Sequence, residues 1–233
     1  MLLNVAGVTS GYGGVRIVKD VSFSIAAREI LAIIGRNGVG KTTLMKTIIG
    51  SIAPMGGRID LAGQNITHLG SAGRARLGVG YVPQGRGIFA RMSVADNLIL
   101  GKAVGAHSGA PNLERVYRFF PILRERLQQL AGSMSGGQQQ QLAIGRILVG
   151  NPRLILLDEP SEGIQPNIVQ RIAQIIRRLR DEQGLAVIIV EQNLSLIQAV
   201  ADRCVVMDKG VVVAEVTKEQ LADPSVAKRY LAI

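Results

Sequence analysis

The segment Gly35-Arg36-Asn37-Gly38-Val39-Gly40-Lys41-Thr42 constrains the fold of this chain more than any other. Its spacing is G-x-x-x-x-G-K-[ST]. Glycines lack a Cβ, so the backbone can turn its N–H groups inward around an anion. The run Ile30-Leu31-Ala32-Ile33-Ile34 precedes the loop and is apolar throughout, as a central parallel strand buried on both faces would be. Lys41 to Ile49 follows it with helical character and is closed by Gly50. That helix turns the partial positive charge of its N-terminus toward the loop. An ordinary glycine-rich turn lacks these flanks. Strand, loop and helix together predict a phosphate cradle.

The residue types inside the cradle specify its cargo. Lys41 offers a point charge for β- and γ-phosphates, and the Thr42 hydroxyl offers a ligand for Mg²⁺, so ATP with Mg²⁺ is the expected cofactor. A second apolar strand, Leu154-Ile155-Leu156-Leu157, ends in Asp158 and Glu159. Open α/β sheets bind ligands at that strand end. Asp158 is expected to hold Mg²⁺, and Glu159 to orient and polarise an attacking water. A third element, Met134-Ser135-Gly136-Gly137-Gln138, opens a helix. Ser-Gly-Gly there is either a second anion site or a plain N-cap.

Between these motifs the pattern alternates strand and helix. Val21, Phe23 and Ile25 alternate with serines, and Gly11-Tyr12-Gly13-Gly14 reads as a turn. Helical stretches are expected near 93–101, 112–130 and 136–149, with Pro121 breaking the middle one. Beyond Leu157 come a helix with Ile168, Ile172, Ile175, Ile176 and Leu179 on one face, a strand at Ala186–Val190, a helix at 194–201 and a strand at 204–208. A hairpin at Lys209-Gly210 and a short helix, capped by Thr217 and Gln220, complete the chain. This predicts an α/β fold with a mostly parallel sheet and an N-terminal antiparallel β subdomain. A single unit is expected, with its core in 1–85 and 151–233 and a helical insertion over about 86–150.

Composition removes several classes. With 233 residues, 47% of them hydrophobic, and no Trp, the core must be aliphatic. Cys204 stands alone, so no internal disulfide forms, and it reads as a buried small hydrophobe. His68 and His107 are isolated, and no zinc-like spacing occurs. Met1-Leu2-Leu3-Asn4 lacks a targeting pattern, and no apolar run approaches the ~20 residues of a spanning helix. The net charge of +10 would suit nucleic acid or an anionic membrane surface. Its one dense run, Arg177-Arg178-Leu179-Arg180, is expected to be a solvated helix face.

Two phosphate-binding elements in one chain resemble the ATP-binding subunits of ABC transporters, which share the P-loop NTPase fold. The resemblance covers essentially the whole chain. Ser135, Gly136, Gly137 and Gln138 are similar to that family's signature, with Met134 where Leu is usual. Tyr12 resembles the aromatic that stacks on adenine, and Gln84 the glutamine that links Mg²⁺ and water to a membrane partner. Thr43 completes the loop residues expected at the nucleotide. The resemblance implies a head-to-tail pair in which each ATP lies between one subunit's glycine loop and the other's signature.

Gln192 stands where the family usually has a γ-phosphate-contacting histidine, and Ile164 where Asp is common. Gln donates a hydrogen bond but carries neither charge nor a mobile proton. The partner implied is a histidine-bearing sister subunit or a second copy of the chain. Together with the segment from Tyr81 to Phe89, these departures resemble the F-type ATPase of bacterial branched-chain amino acid importers or its urea/amide relative. The resemblance then implies permease subunits docking near 84–92, a periplasmic binding protein acting indirectly, and a cytoplasmic position on the inner membrane face. Phe89 and Met92 could serve that docking surface or the core. The alternative is a superfamily ATPase acting on nucleic acid or the ribosome, but such proteins usually carry two ATPase units or a long coiled-coil insertion, which this chain lacks, so nucleic acid is not expected as a partner. A nucleotide-binding regulatory subunit with little turnover stays open.

Overall fold

The computed structural model describes residues 1–104, 113–221 and 223. His107 and residue 112, the first of the expected 112–130 helix, lie outside these. Two sheets form. Strands β1 (Leu3–Tyr12), β2 (Val15–Ile25), β4 (Gly56–Leu61) and β5 (Gln64–Asn65) make a four-stranded antiparallel sheet in the order β2-β1-β4-β5. The other strands are β3 (Ile30–Ile34), β6 (Val79–Val82), β7 (Leu154–Asp158), β8 (Ala186–Val190), β9 (Arg203–Asp208) and β10 (Val211–Thr217). They make a six-stranded sheet in the order β10-β9-β3-β8-β7-β6, parallel except for β10 at its edge. The turn at the first hairpin is Gly13-Gly14, both in the left-handed region, as a two-residue turn between twisted strands requires. β1 therefore runs on through Gly11 and Tyr12, which sequence alone assigned to the turn.

The central strands are apolar throughout because each face of their sheet meets a different layer. Ile30, Ala32 and Ile34 of β3 join Ile155, Leu157, Val187, Ile189 and Cys204 in one cluster. The alternate residues Leu31, Ile33, Leu154, Leu156 and Ile188 join the other. The second cluster takes in the antiparallel sheet (Leu3, Val5, Phe23, Ile59) and helix α1 (Lys41–Ile49), through Leu44, Met45 and Ile48. Cys204 is fully buried, and burial pushes its thiol up to about 12, consistent with a core role.

On the first face lie the helices inserted between β6 and β7, followed by α7. They are α3 (Val94–Val104), α4 (Leu113–Phe119), α5 (Pro121–Glu125) and α6 (Gly136–Val149), with α2 (Ser71–Arg76) earlier in the chain. Pro121 opens α5 rather than merely kinking a longer helix, since its fixed φ suits a first helical position. The expected helix to residue 130 ends instead at Glu125. The following chain turns back, and Leu130 bridges to Ser93.

Helix α7 (Pro166–Gln183) buries Ile172, Ile176 and Leu179, while Ile168 and Ile175 pack at the margin. Arg177 and Arg178 are exposed as expected, but Arg180 is half-buried and donates to Asp202 at 2.6 Å. Helix α8 (Leu194–Val200) and α9 (Lys218–Leu221) follow β8 and β10. The Thr217 N–H donates to Gln220 Oε1 at 2.8 Å, and the Gln220 N–H to Thr217 Oγ1 at 3.3 Å, which completes the expected capping box.

Helices α3 and α6 approach so closely that a Cβ on Gly101 would sit 2.0 Å from the Arg146 carbonyl oxygen. Gly101→Ala should therefore destabilise the chain by about 1–3 kcal/mol through backbone displacement. Gly73→Ala, in helix α2, meets only ordinary contact with Leu69 at 3.5 Å and should stabilise by roughly 0.5–1 kcal/mol. Urea melts of the two variants read out the opposite signs.

Candidate functional site

Strands β3, β8 and β7 are in register at their carboxyl ends, where Ile33 pairs with Val190 and Val190 with Asp158. The glycine loop, Glu191 and Glu159 thus leave the sheet along one edge. Loop residues Gly35, Gly38 and Gly40 have φ of 148°, 80° and 107°. A Cβ on Gly35 would stand 2.3 Å from the Met207 carbonyl oxygen, so only glycine fits against the end of β9. Val39 is buried and anchors the loop in the core cluster it shares with Leu44.

Lys41 is 5% exposed, and its Nζ donates to the carbonyls of Gly35 (2.7 Å) and Arg36 (2.9 Å). Burial holds its ammonium below the usual lysine range, while Glu159, Asp158 and Glu191 push the other way. Thr42 Oγ1 donates to Asp158 Oδ1 at 3.2 Å, and the Tyr81 hydroxyl donates to Asp158 Oδ2 at 3.0 Å. Asp158 is 1% exposed. Burial raises its carboxyl above the ordinary value, partly offset by those two hydrogen bonds. Burial and the neighbouring Asp158 also raise the Tyr81 phenol, which keeps it a donor.

Glu159 adopts a φ of 49°, uncommon for a residue with a Cβ, and its N–H is held by the Val190 carbonyl at 2.9 Å. Two amides grip its carboxylate. Gln192 Nε2 donates to Oε1 at 3.0 Å and Gln84 Nε2 to Oε2 at 3.3 Å. Gln192 Nε2 also reaches Asn37 Oδ1 in the glycine loop at 2.5 Å. A cleft of about 260 Å³ opens between these groups, lined by Asn37, Gly38, Gly40, Lys41, Thr42, Thr43, Gln84 and Glu159, with Ile17 of β2.

Of the remaining sequence-chosen residues, Tyr12 is exposed at the end of β1, paired with Val15 across the hairpin whose strand carries Ile17. Ser135, Gly136, Gly137 and Gln138 do not line this cleft. The Ser135 N–H is capped by Gln138 Oε1 at 3.0 Å, so the cap interpretation holds locally. A Cβ on Gly137 would lie 2.4 Å from Ile168 Cγ2, which fixes a glycine there by packing.

Sequence reasoning passed over Ile17, Tyr81, Arg86 and Glu191. Arg86 ties the segment after β6 to two others, donating to Gln139 Oε1 at 3.0 Å and to the Glu162 carbonyl at 3.3 Å. Glu191 carried a readable signal, an acidic residue directly after an apolar strand, the pattern that singled out Asp158 and Glu159.

A glycine loop opening onto strand-end carboxylates in a parallel sheet defines a nucleotide-binding P-loop ATPase. Comparison with known proteins narrows the class. The family described as ABC transporter matches residues 18–162. The high-affinity branched-chain amino acid transport ATP-binding protein BraG of Pseudomonas aeruginosa is 40% identical over 99% of both chains. The lipopolysaccharide export system ATP-binding protein LptB of Escherichia coli is 36% identical, covering 98% of this chain and 96% of that one. A nucleotide-free ATP-binding cassette from an ABC transporter superposes with a TM-score of 0.86 at 26% identity, covering 100% of this chain and 98% of that one. The chain belongs to the ABC transporter family, as an ATP-binding, ATP-hydrolysing subunit. Among the described residues no helix is long and apolar enough to cross a membrane.

The burial of Asp158 has a consequence for stability. A raised folded-state pKa means the ionised group costs stability at neutral pH, a cost relieved as pH falls through the raised folded value. Asp158→Asn removes the charge, and the Thr42 and Tyr81 hydroxyls can each donate or accept toward the amide. The variant should melt about 2 °C higher than wild type in Mg²⁺-free buffer near neutral pH while losing Mg²⁺-dependent ATP binding. Calorimetry with and without Mg²⁺-ATP checks both signs.

Proposed function

We propose that this chain energises an importer of branched-chain amino acids or a related small polar solute, working as one of two ATPase subunits beneath membrane permease subunits. The observation that carries the ATPase half is the Glu159 carboxylate, gripped by Gln84 and Gln192 and lining one cleft with Lys41 and Thr42. Full-length similarity to BraG supports the solute. Similarity to LptB favours a second reading, energising lipopolysaccharide export.

On this reading Gly35 to Thr43 cradle the phosphates, Lys41 places its charge on the β and γ groups, and Tyr12 stacks on adenine. The Thr42 hydroxyl, Asp158 and the Gln84 carbonyl are hard oxygen donors of the kind Mg²⁺ takes with substrate phosphates rather than an all-protein cage. Bound there, Mg²⁺ would neutralise phosphate charge. Glu159 orients the attacking water, and Gln192 holds Glu159 while reaching the γ-phosphate. Ser135, Gly136, Gly137 and Gln138, lying away from their own chain's cleft, serve a partner's nucleotide. That partner is a histidine-bearing sister or a second copy. The ATPase core is 1–85 with 151–233, and 86–150 is the helical subdomain.

A second cavity, of about 500 Å³, is lined by Ile49, Ala75, Tyr81, Phe89 and Ile147 among others, and lies beside the 84–92 segment. Phe89 is 50% exposed, with the Arg146 guanidinium 5.2 Å from its ring centre, which favours permease docking over core packing for this residue. The Tyr81 phenol runs from that cavity to Asp158. A membrane partner would place the chain peripherally on the cytoplasmic face.

The decisive assay measures ATP hydrolysis by the chain alone and with its sister subunit, each with wild type and Glu159→Gln. Turnover should fall by about 10²-fold or more in the variant while ATP still binds. Equal rates in both settings would assign the chain a regulatory role. Uptake of labelled leucine by cells lacking the gene, restored by wild type and not by Glu159→Gln, tests the solute. Normal leucine uptake with defective lipopolysaccharide export would favour the second reading.

A further inference from the structure

Glu191 follows β8 directly and is 2% exposed. Among the described residues, both its carboxylate oxygens accept from backbone N–H groups alone. Oε1 takes the Ser161 N–H at 2.9 Å, and Oε2 takes those of Gln192 at 2.8 Å and Asn193 at 2.9 Å. A carboxylate costs free energy to bury, and fixed donors offset that cost. These donors belong to two different loops. One is the loop that follows Glu159, and the other carries Gln192.

The two loops share a task. Glu159 sits at a strained φ, so its direction depends on how the chain beyond it is held. Gln192 supplies one of the two amides that grip the Glu159 carboxylate. Strand pairing ends at Asp158 and Val190, and the one backbone bond beyond it, from the Glu159 N–H to the Val190 carbonyl, lies ahead of the Ser161 contact.

We propose that Glu191 is a positioning residue for hydrolysis, a buried splice that keeps the Glu159 loop and the Gln192 loop in register so that the carboxylate stays aimed into the cleft. This rests on the reading of Glu159 as the residue that orients water. Glu191 itself does not line the cleft. A displacement of a group by about 1 Å from its working position is enough to cost 10²-fold in rate.

Glu191→Gln isolates the splice. An amide has one acceptor oxygen, and that oxygen settles toward the two N–H groups of Gln192 and Asn193. Its NH₂ then faces the Ser161 N–H, so the link to the Glu159 loop is the one that breaks. Glu191→Asp keeps two acceptor oxygens on a stem one methylene shorter.

Steady-state hydrolysis by the chain paired with its sister should show kcat lowered about 10-fold in Glu191→Gln, with KM within about 2-fold of wild type. Glu191→Asp should fall between wild type and Glu191→Gln. Hydrogen exchange at the Ser161 amide should accelerate in Glu191→Gln. A wild-type kcat in that variant overturns the proposal. So does a kcat loss accompanied by a matching rise in KM and a lower melting temperature, which would make the splice purely structural. Should Glu191→Gln prove insoluble, Glu191→Asp is judged by the same criteria. Glu159→Gln run alongside separates the two readings. Undiminished turnover there removes the role of Glu159, whereas loss there with normal turnover in Glu191→Gln removes only the splice.

Discussion

Parallel pairing of β3 with β8 and of β8 with β7 puts Ile33, Val190 and Asp158 on one row of the sheet. Each strand therefore runs out of partners at the same level, and its next residues must leave the sheet there. The glycine loop, Glu191 and Glu159 come from three distant parts of the chain and meet because of that shared register. A slip of one residue in β7 would turn its side chains to the opposite faces, taking Leu154 and Leu156 out of one core cluster and Ile155 and Leu157 out of the other. Burial of both faces is thus what holds the carboxylates beside the lysine.

The electrostatics follow from this crowding. Asp158, Glu159 and Glu191 surround one buried ammonium, and the hydrogen bonds at each carboxylate have different consequences. Asp158 is the most enclosed, held by two hydroxyls, and remains raised in pKa. Glu159 is the most accessible and is held only by amides, which direct it without carrying charge. Gln192 fits that role. Its NH₂ bridges Glu159 to Asn37 and so ties the glycine loop to the end of β7. A histidine at this position could carry charge, whereas the amide here only orients.

What could be read from sequence was local chemistry on local elements. The glycine loop, the apolar strands and the Asp158-Glu159 pair are contiguous patterns whose physical meaning does not depend on distant residues. The antiparallel hairpin, the Pro121 break and the Thr217–Gln220 cap were legible for the same reason. The turn of the chain at Glu125 was not, because Leu130 leaves the helix to bridge Ser93, a pairing that helical propensity does not encode. Tyr81 stood only as the first residue of a segment resembling the importer ATPases until the pairing of β6 with β7 placed its hydroxyl on Asp158. Ile17 reaches the cleft because the first hairpin folds over the loop, where a Cβ on Gly40 would lie 3.2 Å from Ile17 Cγ2.

Tyr81 also joins the two cavities. It lines the larger, mostly apolar one, and its hydroxyl donates to Asp158, the neighbour of Glu159 in the lining of the smaller one. Helix α1 makes a second bridge, since Lys41, Thr42 and Thr43 line the cleft at its N-terminus while Ile49 lines the apolar cavity at its other end. Arg74 fixes that far end. Fully buried, it donates to the carbonyls of Thr47 and Ile48 at 2.7 and 2.8 Å and to those of Thr67 and Leu69 at 2.8 Å each. A cation on terminal helix carbonyls interacts favourably with the negative end of the helix dipole, whose positive end faces the glycine loop. Burial lowers the Arg74 guanidinium to about 10, still well above neutrality, so the clamp stays charged. One short helix thus spans from the polar cleft to the apolar cavity, with Lys41 bonded to the loop carbonyls at its start and Arg74 bonded to its last carbonyls.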